Sequence, residues 1–228
     1  MNTAIFFPRL KHGALCGALL LSGFLAGCGK ENQPAPPQPA APAPSANQPP
    51  QPAPTPDAPA RPAQTPGKKL IATLETTKGL IQFEMFSGDA PKTVENFQAL
   101  ANRGYYKNVI FHRVIKGFMI QGGDPTGTGT GGESAFGPTF NDEISPASPI
   151  YQTGYDRGVV AMANRGPNTN GSQFFIMHQR YALPPNYTIF GKVIKGQEVV
   201  DAIATAPTEP GDRPVNPVKI VSAKVTEE

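Results

Sequence analysis

The chain has no tryptophan, two cysteines and three histidines among its 228 residues. Each scarcity excludes something. Both cysteines, Cys16 and Cys28, lie near the N-terminus. Everything beyond them therefore has no disulfide framework and no thiolate metal site, and must be held by its core alone. The histidines His12, His112 and His178 show no metal-ligand spacing. No metal and no cofactor are expected. Charge of one sign is also lacking: the formal net charge is +3, and basic and acidic residues are mixed. Without a Lys/Arg run to track a phosphate backbone, nucleic acid is not an expected partner. The apolar run from Gly13 to Leu25 falls short of the ~20 residues that cross a bilayer comfortably.

Proline is abundant instead. There are 27, and about half fall between residues 30 and 67. Before them, Arg9, Lys11 and His12 precede the apolar run, which ends in Leu25-Ala26-Gly27-Cys28. This resembles the lipobox of bacterial lipoproteins. The resemblance implies that residues 1–27 are a signal peptide and that the Cys28 thiol accepts lipid. Two or three acyl chains would anchor the protein stably to a membrane. Gly29, where Asp would favour retention, implies an outer-membrane address facing the periplasm in a Gram-negative cell envelope. An ordinary secretory signal with an incidental cysteine, and a transmembrane anchor, are the alternatives. Residues 28–67 read as the lipidated cysteine and a Pro/Ala-rich linker. That stretch has too few large apolar side chains to offset chain entropy, so disorder with polyproline II character is expected. A spacer is the first reading, and a Pro-rich docking ligand or envelope scaffold the second.

Residues 68–228 read as one domain. Leu70–Thr76 and Leu80–Phe86 form strands around Lys78-Gly79. Pro91 opens a helix whose stripe is Val94, Phe97, Leu100 and Ala101, and Gly104 ends it. Residues 109–115, 118–122, 158–164, 173–178, 188–194 and 217–225 read as further strands, with a second helix after Gly196. Many short strands with two helices suggest a mainly-β fold, a closed barrel with its ends capped.

The segment Phe111-His112-Arg113-Val114-Ile115-Lys116-Gly117-Phe118-Met119-Ile120-Gln121-Gly122-Gly123-Asp124 is similar to the central signature of the cyclophilin family of peptidyl-prolyl cis/trans isomerases. A second block, Met162-Ala163-Asn164 through Gly171-Ser172-Gln173-Phe174-Phe175-Ile176, resembles the family's other long motif. Pro91 to Phe97 and Phe190-Gly191-Lys192-Val193 fit in the same order. The resemblance spans nearly all of 68–228. It implies an eight-stranded antiparallel barrel with two helices, acting on Xaa-Pro bonds.

The chemistry is consistent with such residues. The barrier to amide rotation is ~18–20 kcal/mol and comes from resonance. No bond need break, so no nucleophile, base or metal is required. A pocket that prefers the twisted amide suffices. In the twisted state the proline nitrogen regains a lone pair, which a fixed donor can stabilise. By resemblance that donor is Arg113, with Gln121 fixing the arginine and the substrate carbonyl. The same resemblance places Phe118, Met119, Phe175, Leu183 and Tyr187 around the proline ring. Ala163 and Asn164 lie where the peptide backbone pairs, and Gln173 lines the neighbouring pocket. Strict strand alternation puts Phe118 and Met119 on opposite faces, so one of them would leave the pocket. His112 reads as structural. The glycine-rich Gly127–Gly132 lacks the Lys-Ser/Thr ending of a nucleotide loop. By resemblance it borders a second pocket gated by the uncharged Pro138 and Thr139, where little charge selectivity is expected.

The sequence departs from many eukaryotic members in lacking their Trp near Leu183, and Tyr187 replaces a His. Weak cyclosporin binding is expected, because the indole's area and N–H donor are missing. Nanomolar inhibition of the purified chain would contradict this. A monomer acting on Xaa-Pro polypeptides is the leading expectation, and a non-catalytic proline-peptide binding module the alternative.

Overall fold

A computed structural model describes residues 69–228. The expectations for the signal peptide, Cys28 and the linker lie outside the described residues. The elements in chain order are β1 (Leu70–Thr76), β2 (Gly79–Met85), α1 (Pro91–Asn102), β3 (Arg113–Ile115), β4 (Met119–Gly122), α2 (Pro149–Thr153), β5 (Val159–Met162), β6 (Phe174–Met177), β7 (Ile189–Lys195), α3 (Gln197–Ala204), β8 (Thr208–Glu209), β9 (Arg213–Pro214) and β10 (Ile220–Glu227).

Eight strands form one antiparallel sheet in the order β10-β1-β2-β7-β5-β6-β4-β3. No ladder joins β10 to β3. The sheet closes instead through the stretches just before them. Asn108 and Phe111 donate their N–H groups to Ile220 O and Val218 O, and Ile220 N–H donates to Val109 O at 2.8 Å. The expected β-barrel is therefore present, curled shut by irregular backbone at one seam.

The period-two pattern explains the layers. Even-numbered residues of the central strands, among them Val114, Ile120, Val160, Met162, Phe174 and Ile176, join the main core with Phe83 and Phe190. Helix α1 adds Val94, Phe97 and Leu100, and α3 adds Val199, Val200 and Ile203. Odd-numbered residues, Met119, Val159, Ala161, Phe175 and Met177, face outward into a second apolar cluster.

Helix ends follow local chemistry. Pro91 starts α1 as expected, and Gly104 (φ 70°) follows its C-cap Arg103. The N-terminal N–H groups of Lys92 and Thr93 donate to the Glu143 carboxylate at 3.0 and 2.7 Å, where the helix dipole favours an anion. Gly196 (φ 85°) sits before α3, where a Cβ would collide with Leu80 O.

Three expectations need correction. Among the described residues there are three helices, not two: Ser-Pro-Ala-Ser-Pro at the start of α2 looks like a loop, yet Pro149 sits comfortably in a helix's first turn. The hairpin β8–β9 forms in a Pro/Gly-rich stretch that carries no strand pattern. Several strands are shorter than their apolar runs. Residues 109–112, for instance, lie outside β3 and are held by an isolated bridge, Ile110 to Lys219, and single backbone hydrogen bonds.

Two histidines are buried in this frame, His112 and His178. The His178 ring accepts a hydrogen bond at Nδ1 from Gly117 N–H, at 2.9 Å. Its proton therefore sits on Nε2, 3.6 Å from Asp201. Burial pushes the His178 value down and outweighs Asp201, which pulls it up; Arg157 and Lys116 add to the lowering. Burial likewise lowers His112, against an upward pull from Asp124. The unfolded chain therefore binds more protons than the native one just below the ordinary histidine value. The stability from the neutral rings is complete above about pH 6.5 and is lost as pH falls through the folded values. Urea midpoints should drop between pH 7.5 and 5.5, and less so in His178→Asn, whose amide can still accept from Gly117. An unchanged wild-type midpoint would contradict this account.

Candidate active site

Strand register assembles one row on the outer face. Arg113 pairs with Gln121, Gln121 with Phe175, and Phe175 with Ala161. In a second row Met119 pairs with Ile115 and Met177. Met119 therefore shares the face of Arg113, Gln121 and Phe175. Phe118 precedes the strand, in the β3–β4 turn, so alternation does not bind it. Its ring lies against Tyr181 at 4.4 Å between centroids. Both residues consequently border the outer apolar cluster, and the expected conflict between them is resolved by the turn.

The other wall is aromatic. Phe175 meets Tyr187 edge-on at 5.5 Å, and Leu183 packs against the same cluster. The loop carrying Leu183 and Tyr187 is held from behind. The Tyr155 hydroxyl donates to Tyr187 O at 2.8 Å and accepts from Tyr187 N–H at 3.1 Å. Tyr151 hydroxyl accepts from Ile189 N–H at 2.9 Å. Burial pushes the Tyr151 phenol up to about 12, with a smaller opposing pull from the Ile189 hydrogen bond. It stays a neutral donor and acceptor at any working pH. Tyr151, Tyr155 and Tyr181 were missed in the sequence. Their roles depend on contacts with distant loops that no local pattern encodes.

A cleft of about 410 Å³ adjoins the row on its other side. It runs between the glycine-rich loop and the segment from Ala163 to Thr169, with Gln121 and Gln173 at its base. Gln173 donates to Gly129 O at 3.0 Å and Gly131 O at 2.8 Å, and accepts from the Gln121 amide at 2.9 Å. Gln121 is thus oriented by Gln173, whereas Arg113 is held by Asp212, Nε to Oδ2 at 3.4 Å. The resemblance has Gln121 fix the arginine; here Asp212 bonds the guanidinium and Gln121 bonds Gln173. Asn164 donates to Asn186 O at 2.8 Å and so ties the cleft to the Leu183–Tyr187 loop. Ala163 N–H is taken by Gln173 O.

Pro138 and Thr139 line the cleft as expected, but so do the charged Glu133 and Arg165. Arg165 reaches across to Thr130 O. The two uncharged gating positions hold, but the expectation of little charge selectivity has to reckon with this pair of charges. It rested on two rim positions, and the opposite loop supplies others.

Asp124 shapes the glycine-rich loop. Burial alone would raise its carboxyl, but hydrogen bonds from the Thr126 hydroxyl and the N–H groups of Thr126, Gly131 and Gly129 outweigh it and bring it down to about 2. The loop is a backbone nest wrapped around a carboxylate, which leaves it no vacancy for a phosphate.

Nothing in this arrangement supplies a nucleophile with a base beside it. What it offers is a half-exposed cation, an apolar recess and a polar cleft in line. Such a site can grip an extended peptide and place one positive donor over it.

Comparisons with known proteins agree with that geometry. Residues 71–225 match the family model described as cyclophilin type peptidyl-prolyl cis-trans isomerase/CLD. The chain is 53% identical over 156 residues to peptidyl-prolyl cis-trans isomerase-like 1 of Neurospora crassa, covering 68% of this chain and 93% of that protein. It is 49% identical over 154 residues to peptidyl-prolyl cis-trans isomerase CYP18-2 of Arabidopsis thaliana, covering 67% and 92%. Among solved structures, a cyclophilin-type isomerase of Cryptosporidium parvum superposes with a TM-score of 0.65 at 44% identity, over 70% of this chain and 99% of that one. A further structure of that protein was determined in the presence of the dipeptide Ala-Pro, with a TM-score of 0.64 over 69% of this chain and 99% of that one. By matched family model, identity and fold together, the chain belongs to the cyclophilin-type peptidyl-prolyl cis-trans isomerases.

Proposed function

We propose that this isomerase accelerates Xaa-Pro rotation in exported polypeptides, with Arg113 as the donor to the twisted amide. The observation that carries the reading is the row Arg113, Gln121 and Phe175, which sets a fixed cation beside an apolar seat on one face of three adjacent strands. In either planar isomer the proline nitrogen shares its lone pair with the carbonyl and accepts little. Midway through rotation it becomes a true acceptor, and only then does Arg113 gain from it. That is differential binding of the transition state. Phe118, Met119, Phe175, Leu183 and Tyr187 hold the ring while the rest of the amide turns. Gln121 steadies the carbonyl, and residues upstream of proline lie in the cleft beside Ala163, Asn164 and Gln173. The Ala-Pro dipeptide used with the Cryptosporidium parvum relative is a ligand of the class proposed.

Export rests on sequence. The lipobox-like Leu25-Ala26-Gly27-Cys28 and the Pro-rich stretch after it suit a lipid anchor on a spacer. Fully extended, that spacer would reach on the order of 100 Å. The protein would then work on chains emerging into a cell envelope, with no cofactor and no nucleic acid.

A protease-coupled assay on an Ala-Xaa-Pro-Phe peptide tests the catalytic part. The purified chain should speed the slow cis phase, and a rate equal to buffer alone would leave only a peptide-binding module. Mass spectrometry of the mature N-terminus tests the anchor: a chain beginning at acylated Cys28 is the expected product, and an unmodified cysteine refutes it.

A further inference from the structure

We propose that Asp212 is a positioning residue for Arg113: its carboxylate takes the guanidinium Nε–H and leaves both terminal amino groups aimed at the proline nitrogen. The inference rests on the catalytic reading of Arg113 given above.

The geometry is specific. Asp212 lies 99 residues beyond Arg113 in the chain and sits between β8 and β9. Its backbone φ is 64°, a left-handed conformation that Asn, Asp and Gly tolerate best. The turn is pinned on both sides. Val114, next to Arg113, donates its N–H to Asp212 O at 2.8 Å. Arg213 Nη1 donates to Gly127 O at 2.8 Å, which ties the hairpin to the glycine-rich loop. Asp212 is therefore delivered to the arginine by a hairpin fixed to the same strand.

The atom chosen matters. A carboxylate that gripped both Nη atoms would consume the fork that substrate needs. One that accepts from Nε alone fixes the plane of the guanidinium and keeps the outer donors. The pair is too exposed to serve as a stabilising staple, since its side chains are 42% and 43% accessible, and exposed ion pairs contribute little to folding. Its effect belongs to orientation, where a small misplacement of a catalytic group costs rate.

The test uses the full chain with kcat and KM measured separately. Asp212→Gly removes the carboxylate without straining the turn, and Asp212→Asn keeps an acceptor of the same shape. Asp212→Gly should lower kcat about tenfold, with KM within about twofold, and the melting temperature should stay within a few degrees. Asp212→Asn should recover most of the loss. In an Arg113→Ala background, Asp212→Gly should cost nothing more. A kcat within about twofold of wild type in Asp212→Gly, or an equal loss with Arg113 already gone, overturns the assignment of Asp212 while leaving Arg113 intact. Full activity in Arg113→Ala itself would overturn the parent reading, and this one with it.

Discussion

Arg113→Ala should lower kcat/KM for a proline-containing tetrapeptide by about 10²- to 10³-fold, the usual consequence of removing one preorganised donor to a transition state. The loss should fall mainly on kcat, because the planar substrate gains little from the guanidinium before it twists. Peptide affinity should change far less, since the seat built from Phe118, Met119, Phe175, Leu183 and Tyr187 is untouched. Arg113→Lys should recover only a small part of the rate. An ammonium has charge but no planar fork, and it offers Asp212 no Nε–H. Folding should survive both changes, because the arginine side chain is 42% exposed and lies outside the main core. If Arg113→Ala retained more than a third of wild-type kcat, catalysis would have to come from the pocket alone.

The largest stability effect is expected at Phe97. Its ring stacks on Tyr106 at 5.0 Å and meets Phe83, Phe174 and Phe190 at 5.4, 5.6 and 5.7 Å. It is 1% exposed and joins α1 to β2, β6 and β7 in the middle of the sheet. Phe97→Ala should cost about 3–5 kcal/mol, combining lost transfer energy with a cavity that rigid neighbouring rings cannot close. Phe97→Leu, which refills most of the volume, should cost clearly less. Urea titration reads both values. A cost under about 1 kcal/mol for the alanine variant would mean that α1 can shift to refill the space, and that it is less firmly docked than the aromatic contacts imply.

Much of this was legible in the chain itself. Pro91 and Gly104 bracket α1 because the backbone chemistry of proline and of left-handed glycine is local. The alternation through Val159–Met162 and Phe174–Met177 is hidden, since both faces of these strands are buried and read as unbroken apolar runs. That is why an outer apolar cluster could not be told from core by pattern. The motif residues Arg113, Gln121 and Phe175 were found, but their alignment is a matter of register: Arg113 and Gln121 meet across a local hairpin, whereas Gln121 and Phe175 pair across more than 50 positions.

Asp212 had no local signal. It sits in Glu209-Pro210-Gly211-Asp212, a stretch that any reader would leave as a turn, and its partner is remote. Tyr155 and Tyr151 were equally silent: a tyrosine before a strand is commonplace, and only the fold brings their hydroxyls to the backbone around Tyr187. The charged Arg165 lies inside the second motif block, between Asn164 and Gly171, yet its reach to Thr130 depends on how the glycine-rich loop folds around Asp124.

The odd-numbered residues that form the recess all point away from the barrel's interior. A client therefore never has to enter the protein. It need only lay a short bend of its own chain against the outside wall. A proline midway along a long, half-folded polypeptide is then as approachable as one near a loose end.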